Sequence, residues 1–538
     1  MKNLINGKEK LELEIVEVNS EKIVFKTTYP WAFCLGANQE EKVRYYSLPV
    51  SSLNCQKLQK LVPSFDFSSF IRNPSPTDVS SKQLRGYQQE DVNFLSRLKS
   101  IAIFSEMRTG KTPTALMTFK RWPVSNLLII VPGILQQHWQ RSVEEWLVKP
   151  AYVITYLYKE QRHKFYHWFL YEPEWIIIVS KDTFKIDSAY FKKNKKRKGG
   201  HNNYCVIVDE AHFLRSRRPQ SQQSKSIYVL QDAPFKMVLT GTPVVNHHDD
   251  IFGILKFLKP DVYSSYWKFA EQYFYIQKLG FRKGEKNYKI WRVKDFKSRQ
   301  LQQELHQQIT QFSVNRRQKE VLPWLPPVIY QKEYLLLEEE QQKVYSQWKE
   351  KWQEYQPLEV LAKLKTLTLY PPALGFSFHG IKIDYLINFF QERKEQGVIV
   401  FSTRSETFLE PLFYMLKEKG IETGLIIGKT GYREKEEFIS QFQSGKLNIL
   451  LCNIQSAGVG LNLSRAETII FADRSYSPAD NEQAEARFLS TTESELPRVR
   501  LVIDLICKGT IDEKILKLLR RKENITKFLD TNPSYFFG

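Results

Sequence analysis

The sequence predicts an α/β protein of two parallel-sheet lobes, with a helical insertion between them and a small β-rich module in front. Three observations carry this reading. Short apolar runs alternate with helical stretches at Ile101–Phe104, Leu127–Val131, Ile176–Val179, Val206–Val208 and Met237–Leu239. A second series repeats the rhythm at Val398–Phe401, Leu425–Ile427, Ile449–Leu451, Thr468–Phe471 and Leu501–Leu505. Continuous apolar strands separated by helices belong to parallel sheets covered on both faces. Finally, 538 residues are too many for a single core.

In residues 1–72, Leu11, Leu13 and Ile15 alternate with Glu12 and Glu14, and Ile23-Val24-Phe25 follows the turn-forming Asn19-Ser20. That is strand–turn–strand chemistry, and Val43–Val50 can add a further strand. Asn73-Pro74-Ser75-Pro76-Thr77 makes 73–82 a linker by composition. The first lobe is then 83–261. Residues 262–375 lack the strand rhythm and include Glu338–Trp352, a charged helix with an apolar stripe. The second lobe is 376–538, and no repeat of solenoid period is visible.

Lys and Arg total 79 against 59 Asp and Glu, a net charge of +20, which favours a polyanionic partner over a merely soluble basic protein. The five cysteines, Cys34, Cys55, Cys205, Cys452 and Cys507, have no metal-ligand spacing, and their odd number argues against a disulfide framework. Cys205 and Cys452 lie in apolar strand-like runs and are expected to pack as small hydrophobes, which points to a reducing compartment. The start MKNLINGKEKLELE has no apolar signal core, and no apolar run is long enough to span a bilayer. A cytoplasmic location without membrane attachment is expected.

Two strand-end clusters carry chemistry. Ser105-Glu106-Met107-Arg108-Thr109-Gly110-Lys111-Thr112 follows the first apolar run; Ser105 stands where the phosphate-loop pattern has glycine, so only its second half matches. Gly110 lets the backbone approach phosphate oxygens, and the helix opening at Lys111 aims amide N–H groups at them. Lys111 can neutralise the β- and γ-phosphates, the Thr112 hydroxyl can ligate magnesium, and Pro113 suits a first helical turn. The second cluster, Asp209-Glu210-Ala211-His212, follows Tyr204–Val208. Adjacent acids at the end of a buried strand are costly unless they serve a cation or a reaction. Asp209 can hold magnesium, Glu210 can act as general base on water, and His212 can couple this site to the next strand. A solvated acidic turn is the bland reading; Lys111 upstream in the same lobe outweighs it.

Over residues 83–525 the chain resembles the Swi/Snf-type ATPases of helicase superfamily two. Leu84-Arg85-Gly86-Tyr87-Gln88 is similar to that family's adenine-reading segment, and Glu106-Met107 with Gly110-Lys111-Thr112 to its motif I. Val131-Pro132 with Trp139 resembles motif Ia, and Leu239-Thr240-Gly241-Thr242-Pro243, followed by Asn246 and Phe257-Leu258-Lys259-Pro260, resembles motif III and its extension. Arg316-Arg317-Gln318-Lys319 and Leu325-Pro326-Pro327 match the signature before lobe two. There, Val400-Phe401-Ser402 resembles motif IV, Ser456-Ala457-Gly458-Val459-Gly460-Leu461-Asn462-Leu463 motif V, and Gln483-Ala484 with Arg487 motif VI. Gly509-Thr510-Ile511-Asp512-Glu513-Lys514-Ile515 resembles the closing segment.

The resemblance implies two tandem RecA-like P-loop lobes. It implies ATP and Mg2+ held at Arg85, Gln88, Met107, Arg108, Thr109, Gly110, Lys111, Thr112, Gly458 and Gly460, with Gln483 and Arg487 completing catalysis. Thr240 and Thr242 would couple hydrolysis to movement. Pro132, Ser402, Thr403, Ser456 and Asn462 would touch nucleic acid, most of all double-stranded DNA, through contacts that read no sequence. Two departures stand out: Arg108 replaces a usual glycine, and Ser490 replaces a second arginine three residues after Arg487. Arg474, Arg498 and Arg500 are the candidates to compensate.

The implied activity is an ATP-driven DNA translocase, its nucleotide bridging the lobes between Lys111 and Arg487. The short chain resembles bacterial and phage members. A strand-separating DNA or RNA helicase is the first alternative; a degenerate motor serving as a DNA-binding scaffold is the second, encouraged by Ser490. Weaker features divide evenly. The basic run 192–200 can touch DNA or be a solvated loop, and the aromatic-basic run 281–289 can clamp nucleic acid or connect a helical hairpin. His247-His248 reads as a polar turn rather than a zinc site.

Overall fold

The computed structural model describes residues 14–18, 22–26, 34–39, 45–49, 51–62, 82–195, 203–214, 222–241, 248–283, 286–323, 328–393, 397–457, 463–486, 500–521 and 533–537. The chain divides into two units, Met1–Val321 and Leu322–Gly538.

In the first unit β1 (Glu14–Val18), β2 (Lys22–Lys26), β3 (Asn38–Gln39) and β4 (Tyr45–Pro49) form an antiparallel sheet in the order β1-β2-β4-β3. A helix, Ser52–Leu61, follows, its first turn capped by the Ser51 hydroxyl. Ile23, Phe25, Leu48, Cys55, Leu58 and Leu61 are buried in one continuous core with Tyr152 and Phe165 of the first lobe. The module therefore shares the lobe's hydrophobic interior.

The lobe itself is a seven-stranded, all-parallel sheet. Its strands are β5 (Ser100–Ile103), β6 (Asn126–Val131), β7 (Tyr152–Val153), β8 (Ile176–Ser180), β9 (Tyr204–Val208) and β10 (Phe235–Leu239). After the antiparallel hairpin β11 (Phe274–Lys283) and β12 (Lys286–Phe296), β13 (Ser313–Val314) completes the order β13-β5-β10-β9-β6-β8-β7. Every residue of β6, β8, β9 and β10 is buried, which is why these strands are apolar apart from Asn126, Ser180 and Lys236.

The second unit carries β14 (Val328–Leu335), β15 (Val398–Ser402), β16 (Thr423–Ile426), β17 (Ile449–Asn453), β18 (Thr468–Phe471) and β19 (Arg500–Cys507). They form an all-parallel sheet in the order β14-β19-β18-β15-β17-β16. Val398 and Val400 pack into the core on one face, and Ile399 and Phe401 into the core on the other.

The span 262–375 holds the expected helices, among them Arg299–Thr310, Glu339–Glu350 and Pro357–Leu369, but it is not wholly helical. It also contains the β11–β12 hairpin, and its strands β13 and β14 belong to the two lobe sheets. The register shift between Phe274 and Ile276 breaks the alternation that would have announced the hairpin. Strand β13 has only two residues, and β14 is a sheet edge with Ile329 and Tyr330 exposed, so neither shows a buried-strand pattern. All five cysteines are buried and unbonded, and burial pushes their thiols up.

Candidate active site

Three adjacent strands of the first lobe, β5, β10 and β9, deliver the site at their carboxyl ends. The loop after β5 leads into the helix Lys111–Arg121, whose N-cap is Gly110 at φ +77° and ψ 43°. This left-handed geometry suits glycine, and crowding demands it: an added Cβ would lie 2.1 Å from Gln88 Nε2. Gln88 is buried. Its Oε1 accepts from the Arg85 N–H at 2.9 Å, and its Nε2 donates to the Thr109 carbonyl at 3.4 Å. Tyr87 also donates to that carbonyl, at 2.8 Å, while the Thr109 hydroxyl donates to Glu106 O at 2.7 Å. The segment Arg85–Gln88 and the loop ahead of Lys111 thus brace each other.

Arg108, the departure from the glycine usual in the family it resembles, sits at φ +59°. The left-handed backbone explains the glycine preference; the arginine carries it at a cost of about 1–2 kcal/mol. Ser105 also has a local reason. Its hydroxyl accepts from the Arg316 N–H at 3.1 Å, while Arg316 O accepts from the Glu106 N–H at 2.9 Å. The Arg316 guanidinium forks onto buried Asp91 at 3.0 and 2.7 Å. Arg316 therefore locks the loop to the helix Gly86–Leu95 from within the first unit.

Lys111 Nζ donates to the Glu106 carbonyl at 3.3 Å. Gly241, at the end of β10, is close enough that an added Cβ would stand 3.7 Å from Lys111 Nζ and 3.7 Å from Met107 N. Thr240 before it is fully buried, its N–H donating to Ile103 O at 3.1 Å. Thr242 lies outside the described residues.

At the end of β9, Asp209 is buried, with Oδ2 accepting from Trp139 Nε1 at 2.8 Å and Oδ1 from the Glu210 N–H at 2.8 Å. Burial, then the neighbouring Glu210 charge, raises its carboxyl to about 6, partly countered by Trp139 and Lys111. Glu210 takes φ +49°, a left-handed strain characteristic of functional turns. Its Oε2 lies 3.3 Å from His212 Nδ1.

A resident metal would need more donors than this. Among the described residues no cluster of three His, Cys, Asp or Glu could hold one. One buried carboxylate and the Thr112 hydroxyl at a helix start instead fit Mg2+ that brings phosphate oxygens and waters as its remaining ligands.

Residues 74–370 match the SNF2-related domain, over half of the chain, and residues 381–490 match the helicase conserved C-terminal domain. The chain belongs to the SNF2-related family. It is 24% identical over 479 residues to an uncharacterized ATP-dependent helicase of Mycoplasma pneumoniae, covering 84% of this chain and 43% of that protein. It is 24% identical to the human DNA annealing helicase and endonuclease ZRANB3, covering 82% of this chain and 40% of that protein. Among solved structures, the Sulfolobus solfataricus SWI2/SNF2 ATPase core in complex with dsDNA is similar at 21% identity and TM-score 0.38, covering 85% and 95% of the two chains. The SNF2-related chain thus spans less than half the length of these two curated relatives.

Other site residues of this SNF2-related chain fall differently from the sequence expectation. Trp139, quoted with Val131-Pro132 for the likeness to motif Ia, is fully buried and donates to Asp209. Nothing short of the fold shows this contact, because Asp209 is 70 residues away. Pro132 is half-buried and opens the turn Gly133–Leu135. In the second unit, Ser402 is buried, its hydroxyl donating to Asp473, whose Oδ1 also accepts from the Thr403 N–H at 3.0 Å. The Thr403 hydroxyl donates to Asp473 as well, and Lys365 Nζ pairs with it at 2.6 Å. The two hydroxyls expected on nucleic acid are thus committed inside the lobe. Of this cluster the sequence singles out only Asp512, in the closing segment; Lys365, Asp473 and Lys382, which pairs with Asp512 at 2.7 Å, are isolated charges with no sequence signal until packing joins them.

Gln483 is half-buried on the helix Pro478–Ala486. Arg474 is not positioned as a spare arginine. It donates to Asp504 at 2.6 Å and to Glu485, and it lies over the Phe471 ring. Arg500 is buried, donating to Ser464 O at 3.0 Å and Ala466 O at 3.1 Å. Arg487, Ser490, Arg498, Gly458, Gly460 and Asn462 lie outside the described residues, as does the side chain of Ser456. The described part of 192–200 ends the helix Lys181–Asn194, with Lys195 paired to Asp232. His248 Nε2 lies 3.7 Å from Asp295, on a polar turn. Among the described residues no helix is long and apolar enough to cross a membrane.

Proposed function

We propose that the chain is a nucleic-acid-dependent ATPase that drives translocation along duplex DNA. The observation that carries this is the meeting of three motifs at the ends of three neighbouring strands: the Gly110–Lys111 cradle on β5, Gly241 on β10 and the Asp209–Glu210 pair on β9. Lys111 and the amides of its helix take the phosphates; Mg2+, when bound, neutralises phosphate charge from Asp209 and Thr112. Glu210 orients and deprotonates the attacking water, and Gly241 beside Lys111 reports loss of the γ-phosphate to β10. Gln88 and Arg85 read the base, and Arg487 is the candidate arginine finger. The net charge of +20 supports a polyanionic track bound without reading its sequence.

The test compares ATPase rates without nucleic acid and with duplex DNA, single-stranded DNA and RNA, at low and raised salt. Greatest stimulation by duplex DNA, weakening with salt, is expected. Stronger stimulation by single strands together with unwinding of a tailed duplex would favour the strand-separating helicase. Tight DNA binding with negligible turnover would favour the scaffold reading that Ser490 raises.

A further inference from the structure

The helix Gln136–Leu147 stands between two things that the sequence gives no reason to connect. On one side Trp139, fully buried, donates its indole N–H to the Asp209 carboxylate at 2.8 Å. On the other side the helix is gripped by the N-terminal module. Gln140 Nε2 donates to Cys34 O at 3.0 Å and to Ala151 O at 2.7 Å. Gly36, at φ +72°, lets the module's backbone come so close that an added Cβ would meet Gln140 Oε1 at 3.0 Å. One turn further on, Glu144 pairs with buried Lys57 of the helix Ser52–Leu61, and Lys57 also donates to Leu35 O at 3.1 Å. Tyr152 closes the contact by donating to Lys57 O at 3.3 Å.

We propose that the N-terminal module is a brace for the catalytic carboxylate: it fixes the helix Gln136–Leu147 so that Trp139 holds Asp209 in its metal-binding orientation. Trp139 and Gln140 are positioning residues, one in direct contact with Asp209 and one acting through the helix. A buried ion pair and buried carbonyl acceptors are costly to break singly, so the module and the helix move as one body. The inference rests on the nucleotide reading above and goes beyond it by giving residues 14–62 a role in the site.

The test is binding of a fluorescent ATP analogue to the full chain in Mg2+ and in EDTA. The ratio of the two affinities isolates the metal contribution. A wild-type chain with no Mg2+-dependent gain would end the nucleotide reading itself. Given that gain, Trp139→Phe, which keeps an aromatic ring but removes the donor, is expected to lower the ratio about tenfold. Gln140→Met is expected to lower it about threefold, each with the EDTA affinity unchanged within about twofold. Full ratios in both folded variants would overturn the proposal. Hydrogen exchange on the unaltered chain gives a second arm that needs no variant. Mg2+ and nucleotide should slow exchange in Ser52–Leu61 together with Gln136–Leu147; slowing confined to the phosphate loop would overturn it as well.

Discussion

Gly110→Ala concentrates the physics of the phosphate loop in one methyl group. The backbone at φ +77° costs a non-glycine residue about 1–2 kcal/mol. The new Cβ would lie 2.1 Å from Gln88 Nε2, inside any permissible contact. Gln88 cannot simply swing away, because it is buried and its Oε1 caps the helix Gly86–Leu95 through the Arg85 N–H. Displacing it forfeits that cap, about 0.5–2 kcal/mol. The sum is about 1.5–4 kcal/mol, borne by the loop rather than by the core. Expressed as affinity, that is a loss of roughly 10-fold to 1,000-fold for nucleotide. Gly375→Ala is the control: φ is +88° but nothing lies within 4 Å of the added Cβ, so only the backbone term of about 1–2 kcal/mol applies, and in the other unit. Fluorescent-nucleotide titration and thermal melting of both variants decide the matter. Wild-type nucleotide affinity in Gly110→Ala, or an equal loss in Gly375→Ala, would refute the reasoning.

Lys111→Ala and Glu210→Gln should each abolish turnover, with Glu210→Gln still binding nucleotide; substantial hydrolysis by either purified variant would show the site misplaced. Arg316→Ala leaves the buried Asp91 carboxylate without its forked partner and should destabilise the first unit by about 2–4 kcal/mol in denaturant titrations; an unchanged midpoint would contradict this. Burial, the larger effect, lowers the Lys236 ammonium to about 8 from its ordinary 10.5. The folded state therefore sheds that proton before the unfolded chain does, and stability rises between pH 8 and 10. Relative to Lys236→Met, the wild type should gain up to about 3 kcal/mol across that window; parallel stability curves would exclude it.

Much of this was legible because parallel strands buried on both faces must be apolar throughout. The runs at Leu127–Val131 and Val206–Val208 became β6 and β9, and Gly110-Lys111 and Asp209-Glu210 cap strands as their positions demanded. What stayed hidden is long-range. Trp139 looks like any aromatic after a strand until folding brings Asp209 against it. Nor does Ser402 differ in sequence from an exposed hydroxyl; Asp473, 71 residues on, decides its fate. The module at 14–62 reads as separate because a linker follows it, yet its apolar side chains complete the lobe's core. Strand β13 escaped notice for a simpler reason: two residues cannot show a period.

Within the second unit, Arg474 and Arg500 are already committed to other partners. Recruiting Arg474 to a phosphate would strip Asp504 and Glu485 of the partner that now answers both, in a buried setting where breaking one side of a pair costs about 3–5 kcal/mol. Arg500 would have to abandon two backbone carbonyls at a strand start. Neither has reason to leave, which leaves Arg487 and Arg498 as the candidates, and Arg487 is the one we propose for the transition-state charge. Arg474→Met should therefore lower the melting temperature and leave per-molecule turnover of the folded fraction nearly intact. Arg487→Ala should do the reverse, lowering kcat by orders of magnitude at unchanged stability. Turnover that survives Arg487→Ala but vanishes in folded Arg474→Met would mean that the buried cluster opens during the reaction, and would reverse the assignment.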